Sequence, residues 1–376
     1  MAGIYIHIPF CRKACHYCNF HFSTSRKGEN DFSVALLNEI ELQANYLEKQ
    51  PVETIYFGGG TPSMMSSSFL KEVLKKIAHN YSVSKTAEIT LEANPDDITD
   101  EHLQQWKSIG INRLSIGIQS FFEEDLQWMN RAHNSKQALK ALESARQLFD
   151  NITVDLIYGT PGLTDEMWKQ NVDTVLGLQI PHLSCYALTV EPKTALHHMV
   201  VKKEKSAVNS EDQARQFLLL MDWMEKAGFD HYEISNFALP GMRSRHNSAY
   251  WSGAYYLGLG PSAHSFNGKS RQWNIANNAL YSQSLLKNEL LFEIETLTPV
   301  QQLNEYIMTA LRTMEGISMA TVEKRFGEAA AIELKKGFIP FEKEKKLLSS
   351  ADRYFLSKEG RLLADGIAAS LFFDEP

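Results

Sequence analysis

The feature that most restricts the fold is a regular alternation, through the first two thirds of the chain, of short apolar segments with amphipathic ones. The strand candidates are 3–10, 54–57, 88–92, 113–119, 153–158 and 182–189, each rich in β-branched or aromatic residues. Between them lie helix patterns with clear starts: Ser66 before FLKEVLKKIAHN, Asn134 before KQALKALESARQLF, and a capping box from Ser210 to Gln213 before ARQFLLLMDWMEKAG. Repeated βα units demand a parallel sheet with helices outside it, because each crossover returns right-handed to the same sheet. Six units predict an α/β fold, an open partial (β/α)6 barrel in place of a closed eight-stranded one.

After Tyr232 this rhythm breaks. The segment EISNFALPGMRSRHNSAYWSGAYYLGLGPSAHSF, dense in Gly, Ser, Asn and aromatics, reads as an irregular connection. From Thr298 helices are expected over 301–313, 319–326 and 328–336, then a hairpin pairing 354–356 with 361–364 around SKEG. That order suggests a C-terminal α+β, winged-helix-like appendage. The expected units are 1–235, 236–297 and 298–376, which suits the two or three domains that a length of 376 residues suggests.

Composition removes several classes of function. A formal net charge of −7 argues against broad, charge-driven nucleic-acid binding, which needs many cations to neutralise phosphates. No window reaches the roughly 18 consecutive apolar residues of a membrane span, and MAGIYIHIPF lacks the basic start and long apolar stretch of a secretion signal. A cytoplasmic protein without a transmembrane segment is expected.

Three of the four cysteines, Cys11, Cys15 and Cys18, crowd into eight residues directly after the first strand, while Cys185 stands alone in an apolar strand and reads as a buried thiol. Zinc prefers four tetrahedral ligands, and only His16 or His21 could complete such a set. Three soft thiolates suit a [4Fe–4S] cluster with one iron left open to bind a substrate or cofactor. Further along, Gly59, Gly60 and Thr61 end the second strand, Glu92 the third and Gln119 the fourth, with Asp155 inside the fifth and Arg131 just past the fourth. Ligand-binding residues of α/β barrels collect at the carboxyl ends of strands, where these lie. A buried acid–arginine pair that only holds the barrel mouth together is the alternative for Glu92, Asp155 and Arg131.

In combination, the CxxxCxxC run and the GGGTP segment resemble the radical S-adenosylmethionine (SAM) superfamily. With YIHIPFC, the E-x-NP box, SIGIQSF, NRxH and DLIYGxPG, the likeness narrows to the branch that holds oxygen-independent coproporphyrinogen III oxidases and HemW haem chaperones. The resemblance implies a [4Fe–4S] cluster on Cys11, Cys15 and Cys18, and SAM contacts from Tyr5, Gly59, Gly60, Thr61, Glu92, Gln119, Arg131, Asp155 and Ala187. It also sets Tyr17 near the adenine, where simple packing of the cluster loop is the alternative. Two departures point away from the oxidases. Their motif carries a further cysteine where this chain has Phe20, and they have a long segment ahead of a first strand that this chain reaches at Tyr5.

The run from His246 through Asn247 to Tyr250 and Trp251 resembles the HNxxYW motif of the chaperones. An imidazole can ligate haem iron and neighbouring aromatics can face the macrocycle, with His264 in GLGPSAHSF as an alternative ligand. The implied cargo is haem, and the implied partners are apo-haemoproteins, among them membrane-associated respiratory enzymes that would bring the chain to the membrane surface.

Overall fold

Alternation along the first strand decides the architecture. In the computed structural model, which describes residues 2–375, β1 (Ala2–Ile8) turns Ile4, Ile6 and Ile8 to one face, wholly buried, and Gly3, Tyr5 and His7 to the other. The expected unit limits at 1 and 376 lie outside the described residues. The same two-residue period runs through β2 (Val52–Gly59), β3 (Val83–Ala93), β4 (Arg113–Gln119), β5 (Ile152–Tyr158) and β6 (His182–Ala187). On the apolar face, Phe57, Leu91, Ile116, Val154 and Leu183 join one core with Leu36, Leu70, Leu103, Leu142 and Val172 from the crossover helices. The opposite face carries Tyr5, Tyr56, Glu92, Arg113, Asp155 and Tyr186, so the apolar core lies outside the barrel and its inside is polar.

Strands β1 to β6 lie in chain order and pair in parallel, as expected of six βα units. The sheet does not stop there. The segment expected to be irregular adds β9 (Tyr255–Leu259), parallel to the free edge of β1, and then antiparallel β10 (His264–Phe266), β11 (Ser270–Asn274) and β12 (Phe292–Thr296). At the other edge β7 (Asp230–Glu233) and β8 (Asn236–Ala238) pair antiparallel beyond β6. Among the described residues this makes twelve strands in one open sheet. The added strands are three to five residues long, too short for periodicity to separate from a loop. Their pairing is enforced by fit: a Cβ at Gly258 would lie 2.1 Å from the His264 carbonyl oxygen. Glu39, on the first crossover helix, ties this extension down by accepting from the Gly260 amide at 2.7 Å and from the Asn274 and Tyr281 side chains.

Caps follow the sequence at two helices and depart from it at a third. Ser66 accepts from the Phe69 amide and Asn134 forms a reciprocal box with Gln137, but Ser210–Lys226 is capped by Asn209, one residue before the expected serine. In the C-terminal part, helices Pro299–Leu311 and Met319–Phe326 appear near their expected places. The third runs on to Lys343 through Pro340, because Leu334 and Phe338, four residues apart, keep one face buried in the C-terminal core. The hairpin is a correction: β14 (Leu347–Ser350) pairs with β15 (Arg353–Leu356), β15 pairs with β13 (Ile317–Ser318), and SKEG opens the helix Lys358–Arg361. Ser357 caps that helix by accepting from the Gly360 amide, a role the hairpin reading overlooked. Among the described residues no helix is long and apolar enough to cross a membrane.

Candidate functional site

The polar inside of the barrel has a mouth, at the carboxyl ends of the strands, and a floor. At the mouth β1 runs straight into a loop carrying Cys11, Cys15 and Cys18, all partly exposed. The loop is closed by the Cys11 amide donating to Ser23 O at 3.0 Å and the Ser23 amide donating to Pro9 O at 2.8 Å. Thr61 Oγ1 lies 3.6 Å from the Cys11 sulfur, and an Arg131 guanidinium nitrogen lies 3.4 Å from that of Cys15. The glycine-rich end of β2 abuts this loop: a Cβ on Gly60 would sit 2.7 Å from Phe10 O and 3.0 Å from the Cys11 sulfur. Gly59 has φ +109, a left-handed conformation that glycine adopts without cost, and a Cβ there would strike the His7 ring at 2.5 Å.

Without a metal, burial pushes the Cys11 thiol up to about 11 and also raises Cys18, so binding soft metal is what would make these thiols ionise. Among the described residues no three His, Cys, Asp or Glu side chains converge on a single ion. His16 and His21, the candidates to complete a zinc set, each have one ring nitrogen engaged: His16 Nδ1 pairs with Trp128 O at 3.0 Å and His21 Nε2 with Asn278 Oδ1 at 2.7 Å. Three thiols with a hydroxyl and a guanidinium aimed at two of the sulfurs match the donor chemistry of an iron–sulfur cluster, whose sulfurs accept hydrogen bonds.

Below the cysteines the expected site residues line one chamber. Glu92 accepts from the Tyr56 hydroxyl at 2.8 Å and from the Gly59 amide at 3.2 Å. Burial first, and the Asp155 charge second, hold its carboxyl up at about 7. Asp155 is raised to about 6 by burial, tempered by Ser184, Arg113 and Ser115. Arg131 donates to Asn94 Oδ1 and to Gly117 O, both at 2.7 Å, while its buried Nε has no partner. Its other terminal nitrogen lies 3.5 Å from the Tyr17 hydroxyl. Gln119 ends β4 in a left-handed conformation with φ 69, a strain typical of residues held for function. Tyr5 pairs with His7 Nδ1 at 3.2 Å, and Ala187 closes β6 opposite Tyr158.

Four residues of this chamber went unmarked in the sequence. Asn94 links Thr61 to Arg131 by hydrogen bonds of 3.1 and 2.7 Å. Tyr56 orients Glu92, and Arg113 lies wholly buried between Glu88 and Asp155. Tyr186, on the same face of β6 as Ser184, is 43% exposed to solvent inside the barrel, with burial and then Asp155 and Glu233 raising its phenol. The signal was available: each occupies the polar half of a strand alternation, or directly follows one.

The HNxxYW segment is a helix, Arg245–Trp251, and not a loop, and it plugs the floor of the barrel, at the opposite end from the cysteines. Glu88 accepts from the Arg245 and His246 amides at 3.2 and 3.1 Å, anchoring the helix start. His246 is 2% exposed, its Nδ1 paired with Thr54 Oγ1 at 2.7 Å and its Nε2 with the Tyr250 hydroxyl at 3.0 Å. Burial holds it neutral, down at about 3, and its ring stacks on Tyr56 at 4.9 Å. Ser244 caps the helix by accepting from the Asn247 amide at 3.3 Å, and Trp251 lines a cavity of about 320 Å³ with Tyr232, Tyr306 and Arg243. His264 lies exposed on β10, stacked on Trp273 at 6.0 Å. The two expected sets meet inside the barrel, where Tyr5, expected around SAM, stacks on His246, expected around haem, at 6.4 Å.

Comparison with known proteins agrees in extent. Residues 5–175 match the radical SAM superfamily, and residues 297–363 match the HemN C-terminal domain. The heme chaperone HemW of Bacillus subtilis (strain 168) is 34% identical over 375 residues, covering 98% of each chain. That of Mycobacterium tuberculosis (strain ATCC 25618 / H37Rv) is 32% identical over 375 residues, covering 98% of this chain and 94% of the other. The solved structure of coproporphyrinogen III oxidase (HemN) from Escherichia coli aligns with a TM-score of 0.85 over 99% of this chain and 90% of that one, at 23% identity. That last likeness is one of fold.

Proposed function

The chain belongs to the HemW family of the radical SAM superfamily, and from that premise we propose that it binds haem and hands it to apo-haemoproteins. The observation that carries this reading is end-to-end similarity to chaperones, joined to Phe20, 68% exposed, standing where the resemblance puts a cysteine in the oxidases. Cys11, Cys15 and Cys18 would hold a [4Fe–4S] cluster, which when loaded supplies one electron to a bound sulfonium. Gly59 and Gly60 offer bare backbone to the methionine end of SAM, Tyr5, Thr61, Gln119, Ala187 and Tyr17 would surround the rest, and Arg131 offers its guanidinium to a carboxylate. The HNxxYW helix serves this arrangement from below, packing Tyr56 so that its hydroxyl holds Glu92. On this reading the chain works in the cytoplasm, and its acceptors include membrane-associated respiratory enzymes.

The rival reading, an oxygen-independent coproporphyrinogen III oxidase, is favoured by the complete set of chamber residues. One anaerobic experiment on cluster-loaded protein separates the two, following haem binding and coproporphyrinogen III turnover side by side. Haem uptake without protoporphyrinogen IX is the expected result; sustained decarboxylation would overturn the chaperone reading.

SAM binding should depend on pH through Glu92. Its carboxyl, raised to about 7, is ionised above that value and protonated below it. A cationic ligand needs the ionised form, so affinity should fall about tenfold between roughly pH 8 and pH 6. Equilibrium dialysis with labelled SAM reads this directly, and Glu92→Gln should bind more weakly with a flattened profile. An equally steep profile in that variant would assign the titration to another group.

A further inference from the structure

A haem carrier that ligates iron through histidine needs an open imidazole nitrogen, and the histidine of the HNxxYW helix does not offer one in this conformation. Both His246 nitrogens are engaged and the ring is sealed in the barrel floor. Of the other histidines, His7 and His182 are bonded through both nitrogens. His133 and His231 are buried or nearly so, each held by a backbone carbonyl.

A different pair sits at the barrel mouth. The helix Ala195–Val201 follows β6 and carries the run His197-His198-Met199. Leu196 turns inward, packing with Met129, Ile157 and Leu188, and its amide donates to the carbonyl of His16 at 2.7 Å, which fastens the helix to the cysteine loop. His198 is exposed, and His197 is half-buried with its Nδ1 unpartnered. The two ring centroids are 5.7 Å apart, and among the described residues neither ring makes a hydrogen bond. Helical spacing brings His198, Val201 and Lys202 to one face, since residues three and four apart are neighbours. Val201 is 67% exposed, and Lys202 and Lys203 are exposed beside it, with Glu204 the adjoining acid.

We infer that His198 ligates the iron of bound haem at the barrel mouth, with Val201 under the macrocycle and Lys202 and Lys203 meeting its propionates. Each part of the ligand finds its chemical counterpart: neutral imidazole for iron, an apolar side chain for the ring, and ammonium groups for two carboxylates. The site lies on the element bonded to the cysteine loop, so cargo and cluster share one end of the barrel. The inference rests on the haem-binding reading given above.

The test is haemin titration into cluster-loaded, full-length protein, read as difference spectra in the Soret region. His198→Ala should weaken binding about tenfold or more, and His197→Ala/His198→Ala should also abolish the imidazole-ligated spectrum. Lys202→Glu/Lys203→Glu should weaken affinity while leaving that spectrum in place, a split that general damage to the helix would not produce. Iron and sulfide content of each variant should match the parent. If the parent binds haem and the double histidine variant binds it equally well, or if loss is confined to His246→Ala or His264→Ala, this site is wrong while the haem-binding reading stands. A parent protein that binds no haem overturns both.

Discussion

Cys15→Ala is expected to leave anaerobically reconstituted protein without its broad iron–sulfur absorbance, and with iron and sulfide at background. The loop supplies only three thiols, and His16 and His21 are held by Trp128 O and Asn278. Two thiols are too few to hold the cluster when one is removed. The fold should survive, because Cys15 is partly exposed at the mouth and its truncation should cost no more than about 1 kcal/mol. Cys185→Ala is the matched control. That thiol is buried on the apolar face of β6, so the variant should keep full cluster content. Full iron and sulfide in Cys15→Ala would sink the three-cysteine assignment.

Arg113→Ala should be the most destabilising single change inside the barrel. The guanidinium is 1% exposed, lies 3.8 Å from the Glu88 carboxylate, donates to Thr153 and offsets the charge of Asp155. Removing it takes the cation from buried Glu88 and half-buried Asp155, and breaking a buried pair in this way typically costs about 3–5 kcal/mol. The loss should spread to the floor, because Glu88 also receives the first amides of the His246 helix. Urea unfolding of the cluster-free protein measures it as a lower midpoint. Adding Glu88→Gln should recover part of the loss, since the two residues share one network. An unfolding free energy within about 1 kcal/mol of the parent would show that Arg113 is dispensable to the barrel.

Much of this site was legible because it depends on local signals. The cysteines fall within one loop, and the strands that deliver Glu92, Gln119 and Asp155 each show a strong apolar beat with polar residues at alternate positions. Such residues must share a face whatever surrounds them, as the period of a strand is two. Tyr56 and Arg113 obeyed the same rule but carried no motif, so they passed as ordinary strand residues. The segment after Tyr232 failed for another reason. Its strands are short, and their identity depends on docking against the free edges of β1 and β6.

Taken by itself, the sequence determined the six parallel strands and the cysteine loop, which follow from periodicity and spacing within short windows, and it carried the motifs by which the chain resembles its family. Only the tertiary structure decided which end of the barrel each motif occupies. It buried His246 in the floor beneath Tyr56, extended the sheet at both edges, and brought the His197–His198 helix against the cysteine loop. Those outcomes join residues far apart in the chain, as Thr54 meets His246 and His16 meets Leu196. Contacts of that range are set by the packing of whole elements, which no local pattern encodes.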